Sequence, residues 1–252
     1  MKNRWILCLL LSLLNPGILL AQLFGGQLKP SNSTYPGGVV HCNPQNRTDV
    51  VEVVSLTGKI WMDRNLGAER AATSSTDALA FGDLYQWGRW ADGHQCRNSG
   101  TTSTVSTSDR AGHGDFISVP TTSPSDDWRS PRNDEMWGIN RTSGGVNNPC
   151  PAGFRLPTED EIRDERRSWG TGQSNANGAF NSVLKLPLSG FREQTGEVLT
   201  SIDGTPYGIY WAQDVAGEDA RSDARALTIY SALADEDSYN RARGYAVRCI
   251  KF

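Results

Sequence analysis

Hydrophobic positions along this chain change period several times, and each change marks an element. The first is a continuous apolar run from Trp5 to Leu14, preceded by Lys2 and Arg4 and followed by Ile18-Leu19-Leu20-Ala21. Charged, apolar and small-residue regions in that order form a secretory signal, so residues 1–21 are expected to be cleaved off after Ala21. Cys8 lies inside the apolar run and leaves with it. No later segment reaches the ~20 consecutive apolar residues that cross a bilayer.

Residues 22–48 are rich in Gly, Pro, Asn and Ser without periodicity, and read as an extended leader crossing the surface of a domain that begins near residue 49. From Val50 to Leu66, β-branched runs broken by Thr57-Gly58 predict a hairpin ending in Ile60-Trp61-Met62. Between Thr76 and Trp87, Ala80, Leu84 and Trp87 fall on one helical face, and Thr76 or Asp77 can cap the start. A second helix is better specified. Pro157-Thr158-Glu159-Asp160-Glu161 is a capping box, Ile162 and Trp169 supply the buried stripe, and Gly170 ends it. The acids Glu159, Asp160, Glu161, Asp164 and Glu165 could serve acid–base chemistry, but a solvated face accounts for them: first-turn acids favour the helix dipole and Glu159 can pair with Arg163.

Beyond that helix the period becomes two. Val183 to Phe191 alternates around Leu184, Leu186 and Leu188, with Pro187 pushing it towards a sheet edge, and Thr195-Gly196 makes a turn. Tyr207–Ala212, Arg225–Tyr230 and Tyr245–Ile250 each read as a strand. In the last, Tyr245, Val247 and Cys249 share one face and Ala246, Arg248 and Ile250 the other, so both faces should be covered. From about 98 to 148 the pattern dissolves into Ser, Thr, Gly, Asp and Asn, with Trp128 and Trp137 embedded. Large aromatic rings need a surface to rest on, so the two tryptophans are either staples holding this long loop or part of a binding face.

Composition narrows the function. Loss of Lys2 and Arg4 takes the formal charge from -3 to -5, and the remaining charges are interspersed, which excludes the clustered cations that nucleic acid requires. Cys42, Cys96, Cys150 and Cys249 remain, an even count that in an exported chain argues for disulfides, with three pairings open. There is no CxxC, and His41, His94 and His113 are isolated, so a zinc site is not indicated. Neither a GxSxG elbow, a phosphate-cradling glycine loop nor HExxH occurs.

Several blocks taken in order resemble a known family. They are Gly58-Lys59-Ile60-Trp61-Met62-Asp63-Arg64-Asn65-Leu66-Gly67, Gly82-Asp83-Leu84-Tyr85-Gln86-Trp87-Gly88-Arg89, Cys150 to Glu161, Leu186-Pro187-Leu188-Ser189-Gly190-Phe191-Arg192, Tyr210-Trp211 and Gly244 to Lys251. Together they resemble the Fibrobacter succinogenes major paralogous domain family, exported by Bacteroidota and similar bacteria. The resemblance implies an α+β, C-type-lectin-like domain over residues 49–252, with two helices packed on a twisted antiparallel sheet, terminal strands that pair, long loops and an insertion at about 98–148. It also implies a Cys150–Cys249 disulfide, and with it Cys42–Cys96.

Two departures limit what the resemblance implies. Calcium-dependent sugar-binding lectins carry Glu-Pro-Asn or Gln-Pro-Asp and Trp-Asn-Asp, which are absent here; Asn133-Asp134-Glu135 and Asp235-Glu236-Asp237 are the remaining oxygen-rich stretches a calcium ion could use. The formylglycine-generating enzymes, distantly similar through Arg155-Leu156-Pro157-Thr158-Glu159, are copper oxidases with a late cysteine pair, whereas no cysteine lies between Cys150 and Cys249. The expected function is an exported, non-catalytic binding module, without cofactor, that presents a surface to an extracellular glycan or protein. The contact candidates are Trp128, Trp137, Tyr207, Tyr239 and Arg241. An oxidase of the formylglycine-generating kind and a structural surface or adhesin component are the alternatives.

Overall fold

Alternation in the last segment of the chain divides the interior in two. In the computed structural model, which describes residues 28–45, 47–121, 126–138, 144–217 and 223–252, Tyr245, Val247 and Cys249 enter one apolar cluster and Ala246 and Ile250 another. The expected signal and the start of the leader lie outside the described residues. Arg248 shares the second face and is buried with its donors placed: Nε and Nη2 on Asn65 Oδ1 at 3.0 and 2.8 Å, and Nη1 on the Leu184 carbonyl at 2.6 Å. The faces are as expected, but one continuous strand is not. Gly244–Tyr245 and Ile250–Lys251 belong to different sheets, and Ala246 between them bridges to Tyr210.

The fold is mixed α+β, mostly short strands in several antiparallel sheets with two helices. A five-stranded sheet runs in the order Leu28–Pro30, Val51–Val54, Ile60–Met62, Ile250–Lys251, Phe154–Arg155. The hairpin turning at Thr57-Gly58 forms as expected, and Trp61 lies opposite both Val53 and Ile250. The first described residues of the leader supply the sheet's outer strand, with Leu28 opposite Val53. A four-stranded sheet joins Tyr85–Gln86, Gly244–Tyr245, Phe191–Arg192 and Val198–Leu199, the last two connected through the Thr195-Gly196 turn. A three-stranded meander, Gly208–Val215, Asp223–Ile229 and Ala234–Asn240, completes the core.

Both disulfides, Cys42–Cys96 and Cys150–Cys249, are present. The first ties the leader to the domain and the second ties the turn before the helix to the last segment.

Helix α1 (Glu159–Ser168) has the capping box in both directions: Glu161 N–H donates to Thr158 Oγ1 at 3.1 Å and Thr158 N–H to Glu161 Oε2 at 2.9 Å. The solvated-face reading of its acids needs correction. Glu161 is buried and makes a two-pronged pair with Arg155 at 2.7 and 2.8 Å, and Glu165 is buried under Trp169. Burial pushes the Glu161 pKa up, but the Arg155 hydrogen bonds and the Thr158 amide outweigh it and bring the group down to about 2. Glu159 pairs with Arg163 at 2.6 Å as the spacing predicts.

The other expected helix does not form. Asp77 caps a single 3-10 turn, Ala78–Ala80, after which Gly82 takes φ +69 and packs so closely that a Cβ there would sit 2.2 Å from the Leu66 carbonyl oxygen. The chain then enters the four-stranded sheet at Tyr85, which keeps Ala80, Leu84 and Trp87 buried without a helix. The second helix is instead α2 (Ala176–Asn181), started by Asn175 Oδ1 accepting from the amides of Asn177 and Gly178. Likewise Val183–Gly190 is not a strand: Lys185 takes φ +46 and the Leu186 amide donates to the Ala179 carbonyl. Its leucines still reach the second cluster, so the alternation marked burial and not a ladder.

Candidate recognition face

The meander is covered on one side and half-covered on the other. Tyr210, Ala212, Leu227, Ile229 and Ala234 enter the second cluster with Ile162 of α1, while Ile209, Trp211, Ala224 and Ala226 face the first. Period two puts Thr228 and Tyr239 on the side of Ala224 and Ala226, where the small alanines leave room for a large ring. Tyr239 fills it, half-buried: its ring meets Tyr245 edge-on at 5.2 Å and its hydroxyl shares a 2.6 Å hydrogen bond with Thr228 Oγ1. Burial raises the Tyr239 pKa above the usual phenol value, partly offset by Thr228.

At the other end of the same strands, Tyr207 and Tyr230 stack with centroids 5.0 Å apart and planes 26° from parallel. Both are half-exposed. Arg243 lies 5.9 Å from the Tyr239 ring and pairs with Glu193 at 3.2 Å, and Asn240 Nδ2 donates to Gln194 Oε1 at 2.7 Å. These groups form a shallow aromatic face edged by an ion pair. Such a face can stack on rings and exchange hydrogen bonds.

Three of the five contact candidates lie elsewhere. Trp128 and Trp137 are 0% exposed in the first cluster, and Arg241 is 1% exposed beneath it. Each indole N–H is held by a carbonyl: Trp128 Nε1 donates to Trp87 O at 2.7 Å and Trp137 Nε1 to Asn147 O at 3.1 Å. Arg241 packs over the Trp87 ring at 4.5 Å and pairs with Asp134 at 2.7 Å. They staple the 98–148 segment to the core and leave a ligand nothing to touch. Tyr207 and Tyr239 remain, joined by Tyr230, Arg243 and Glu193, which the sequence reading did not single out. The end of a predicted strand at Tyr230 was the available signal.

The other candidate chemistry is engaged internally. His94 is buried with Nδ1 2.7 Å from Asp92 Oδ1 and Nε2 accepting from the Gln86 amide at 3.1 Å. Burial lowers its pKa to about 4, against the pull of Asp92, so both ring nitrogens are occupied in a neutral imidazole. Asp235 and Glu236 pair with Arg166 at 3.2 and 2.7 Å. Among the described residues no group of three His, Cys, Asp or Glu side chains is placed to hold a metal ion, and no helix is long and apolar enough to cross a membrane. Compared with family models, curated proteins and solved structures, the chain finds no match.

Proposed function

We propose that this chain is an exported, non-catalytic binding module of the Fibrobacter succinogenes major paralogous kind, with a C-type-lectin-like scaffold that recognises an extracellular glycan or protein. The observation that carries the reading is the partly exposed tyrosine face, Tyr207 stacked on Tyr230 towards one end of the strands and Tyr239 towards the other, on a meander backed by a packed core. A rigid support of this kind lowers the entropy lost when a ligand orders the face. Two disulfides suit an oxidising compartment, whether periplasm, outer surface or medium. The ordered blocks that resemble the family support the scaffold assignment.

The test is a panel of glycans and secreted proteins probed with the mature protein and with Tyr239→Ala and Tyr207→Ala. Aromatic anchors at such a face typically carry about 1–3 kcal/mol each, so a true ligand should weaken roughly 5- to 100-fold in either variant. A ligand that binds both variants as well as the unmodified protein would place recognition elsewhere.

A further inference from the structure

A groove of about 440 Å³ opens between the leader, the end of the 98–148 segment and the turn at Cys150–Phe154. That volume lies within the range of small-ligand sites. Its apolar lining includes Val146 and Phe252, 67% and 52% exposed, with Pro36 and Pro151. None of its lining side chains is acidic, and one, Arg110, is cationic. In a chain of net charge -3 that is a local reversal of sign.

Arg110 is set in place without a carboxylate in contact: Asp92 is near enough to act on it through space, but its oxygens are paired with Arg89 and His94 at 3.0 and 2.7 Å. Its guanidinium lies 3.9 Å from the Trp90 ring centroid, and Nη2 donates to the Val146 carbonyl at 3.2 Å. Trp90 is itself fixed by Nε1 donating to Gly38 O at 3.2 Å, and the chain beside Arg110 by Asn147 Nδ2 donating to the Asp109 carbonyl at 2.7 Å. No carboxylate among the described residues lies within ion-pair distance of Arg110, whereas Arg129 nearby is paired with Asp109 at 2.9 Å. Beyond the N–H given to Val146, the guanidinium keeps further N–H donors, and a carboxylate is the acceptor that suits them.

We propose that this groove docks an extended peptide segment whose carboxylate meets Arg110 while a neighbouring aliphatic side chain rests on Val146 and Phe252. Arg110 covers Trp90, only 8% of which is exposed, so the indole offers no platform for a sugar ring; this favours a peptide over an acidic glycan. The site shares no residue with the tyrosine face and stands whether or not that face binds.

Calorimetric titration tests it, with three N-acetylated peptides: Val-Pro-Val-Glu-Val amide, its Gln counterpart as amide, and the Gln peptide with a free C-terminus. The Glu amide should bind, and Arg110→Gln or the Glu-to-Gln exchange should weaken binding roughly 10- to 100-fold, the size expected for hydrogen bonds to a charged group. Arg110→Lys should fall between, and the free-acid Gln peptide tells a terminal carboxylate from a side-chain one. Tyr239→Ala should leave all of this unchanged. Equal binding of all three peptides, or no binding of any of them at millimolar concentration, overturns the proposal, as does tighter binding of digalacturonate than of either carboxylate peptide. Arg110 is exposed, so its variants should keep the near-ultraviolet circular dichroism of the parent. The peptide comparison on the unmodified protein stands even if they do not.

Discussion

Replacing Trp128 by alanine separates a staple from a ligand contact, because the two roles predict opposite signs of evidence. The side chain is 0% exposed, its N–H donates to the Trp87 carbonyl at 2.7 Å, and the Arg89 guanidinium lies 5.5 Å from its ring. Truncating a buried Trp to Ala costs about 3–5 kcal/mol through lost burial and the cavity left behind. Orphaning the Trp87 carbonyl adds about 1–3 kcal/mol. For a domain of this size each kcal/mol moves the midpoint by about 2–4 °C, so Trp128→Ala should lower Tm by roughly 10–25 °C. Trp128→Phe keeps most of the volume and loses mainly the hydrogen bond, and should cost about 1–2 kcal/mol. Thermal and urea unfolding followed by circular dichroism measure both. A Tm change under about 2 °C in the alanine variant, with loss of ligand binding, would refute the burial argument and return Trp128 to the surface.

Four further outcomes follow from the same geometry. Alkylation of the mature protein under denaturing, non-reducing conditions should find no free thiol, and reduction should destabilise it strongly, since closing loops with separations of 54 and 99 residues contributes at most about 4–5 kcal/mol each; one reactive thiol would disprove the pairing. Glu161 is depressed to about 2, so its pairing with Arg155 adds stability above the unfolded carboxyl pKa near 4.5 that is lost as pH falls towards 2, and Glu161→Gln should flatten the acid limb of Tm against pH. Asp83 shifts the other way: burial, opposed by Arg97, raises it to about 7, so its folded form favours the proton and stability falls as pH rises from about 4 through 7. Asp83→Asn should therefore gain more Tm at pH 8 than at pH 5, and equal gains would show the group to be solvated. Finally, EDTA should leave Tm unchanged, because Asp134, Asp235 and Glu236 already pair with arginines; a drop of several degrees reversed by calcium would reveal a cation site.

What the sequence made legible was local or strictly periodic. The capping box at Thr158 and Glu161 depends on residues three apart, and the turns at Thr57-Gly58 and Thr195-Gly196 on two each, so both could be read without a partner segment. The faces of Tyr245 to Ile250 were legible because their period holds even where the ladder breaks. The region around Gly82 was not, since one backbone contact with Leu66 outweighs three helix-spaced apolar residues. Nor was the Ala234–Asn240 strand, whose sequence Ala-Asp-Glu-Asp-Ser-Tyr-Asn looks like solvated loop. Its Glu236 is buried against Arg163 and Arg166 of α1, at 3.5 and 2.7 Å, so charge there is a packing feature set by a helix about 70 residues away.

Aromatic identity alone did not separate buried from exposed candidates, for a related reason. An indole has one donor and a large apolar body, so a single backbone carbonyl makes it fit for a core, and Trp87, Trp128, Trp137 and Trp211 are each satisfied that way. A phenol both donates and accepts, and needs room at its far end. Tyr207, Tyr230 and Tyr239 have that room because they sit at strand ends or over the alanines of the middle strand, with Tyr245 beneath as a buried floor. Trp128 and Trp137 thus anchor the long 98–148 segment on the core, while the three tyrosines stay partly at the surface. Enlarging Ala226 is the perturbation that follows: Ala226→Leu, on the side of the sheet that carries Tyr239, should lift that ring and weaken ligand binding at this face while leaving the α1 side of the meander untouched. Unchanged binding in a folded Ala226→Leu protein would show that the alanines are not what shapes the face.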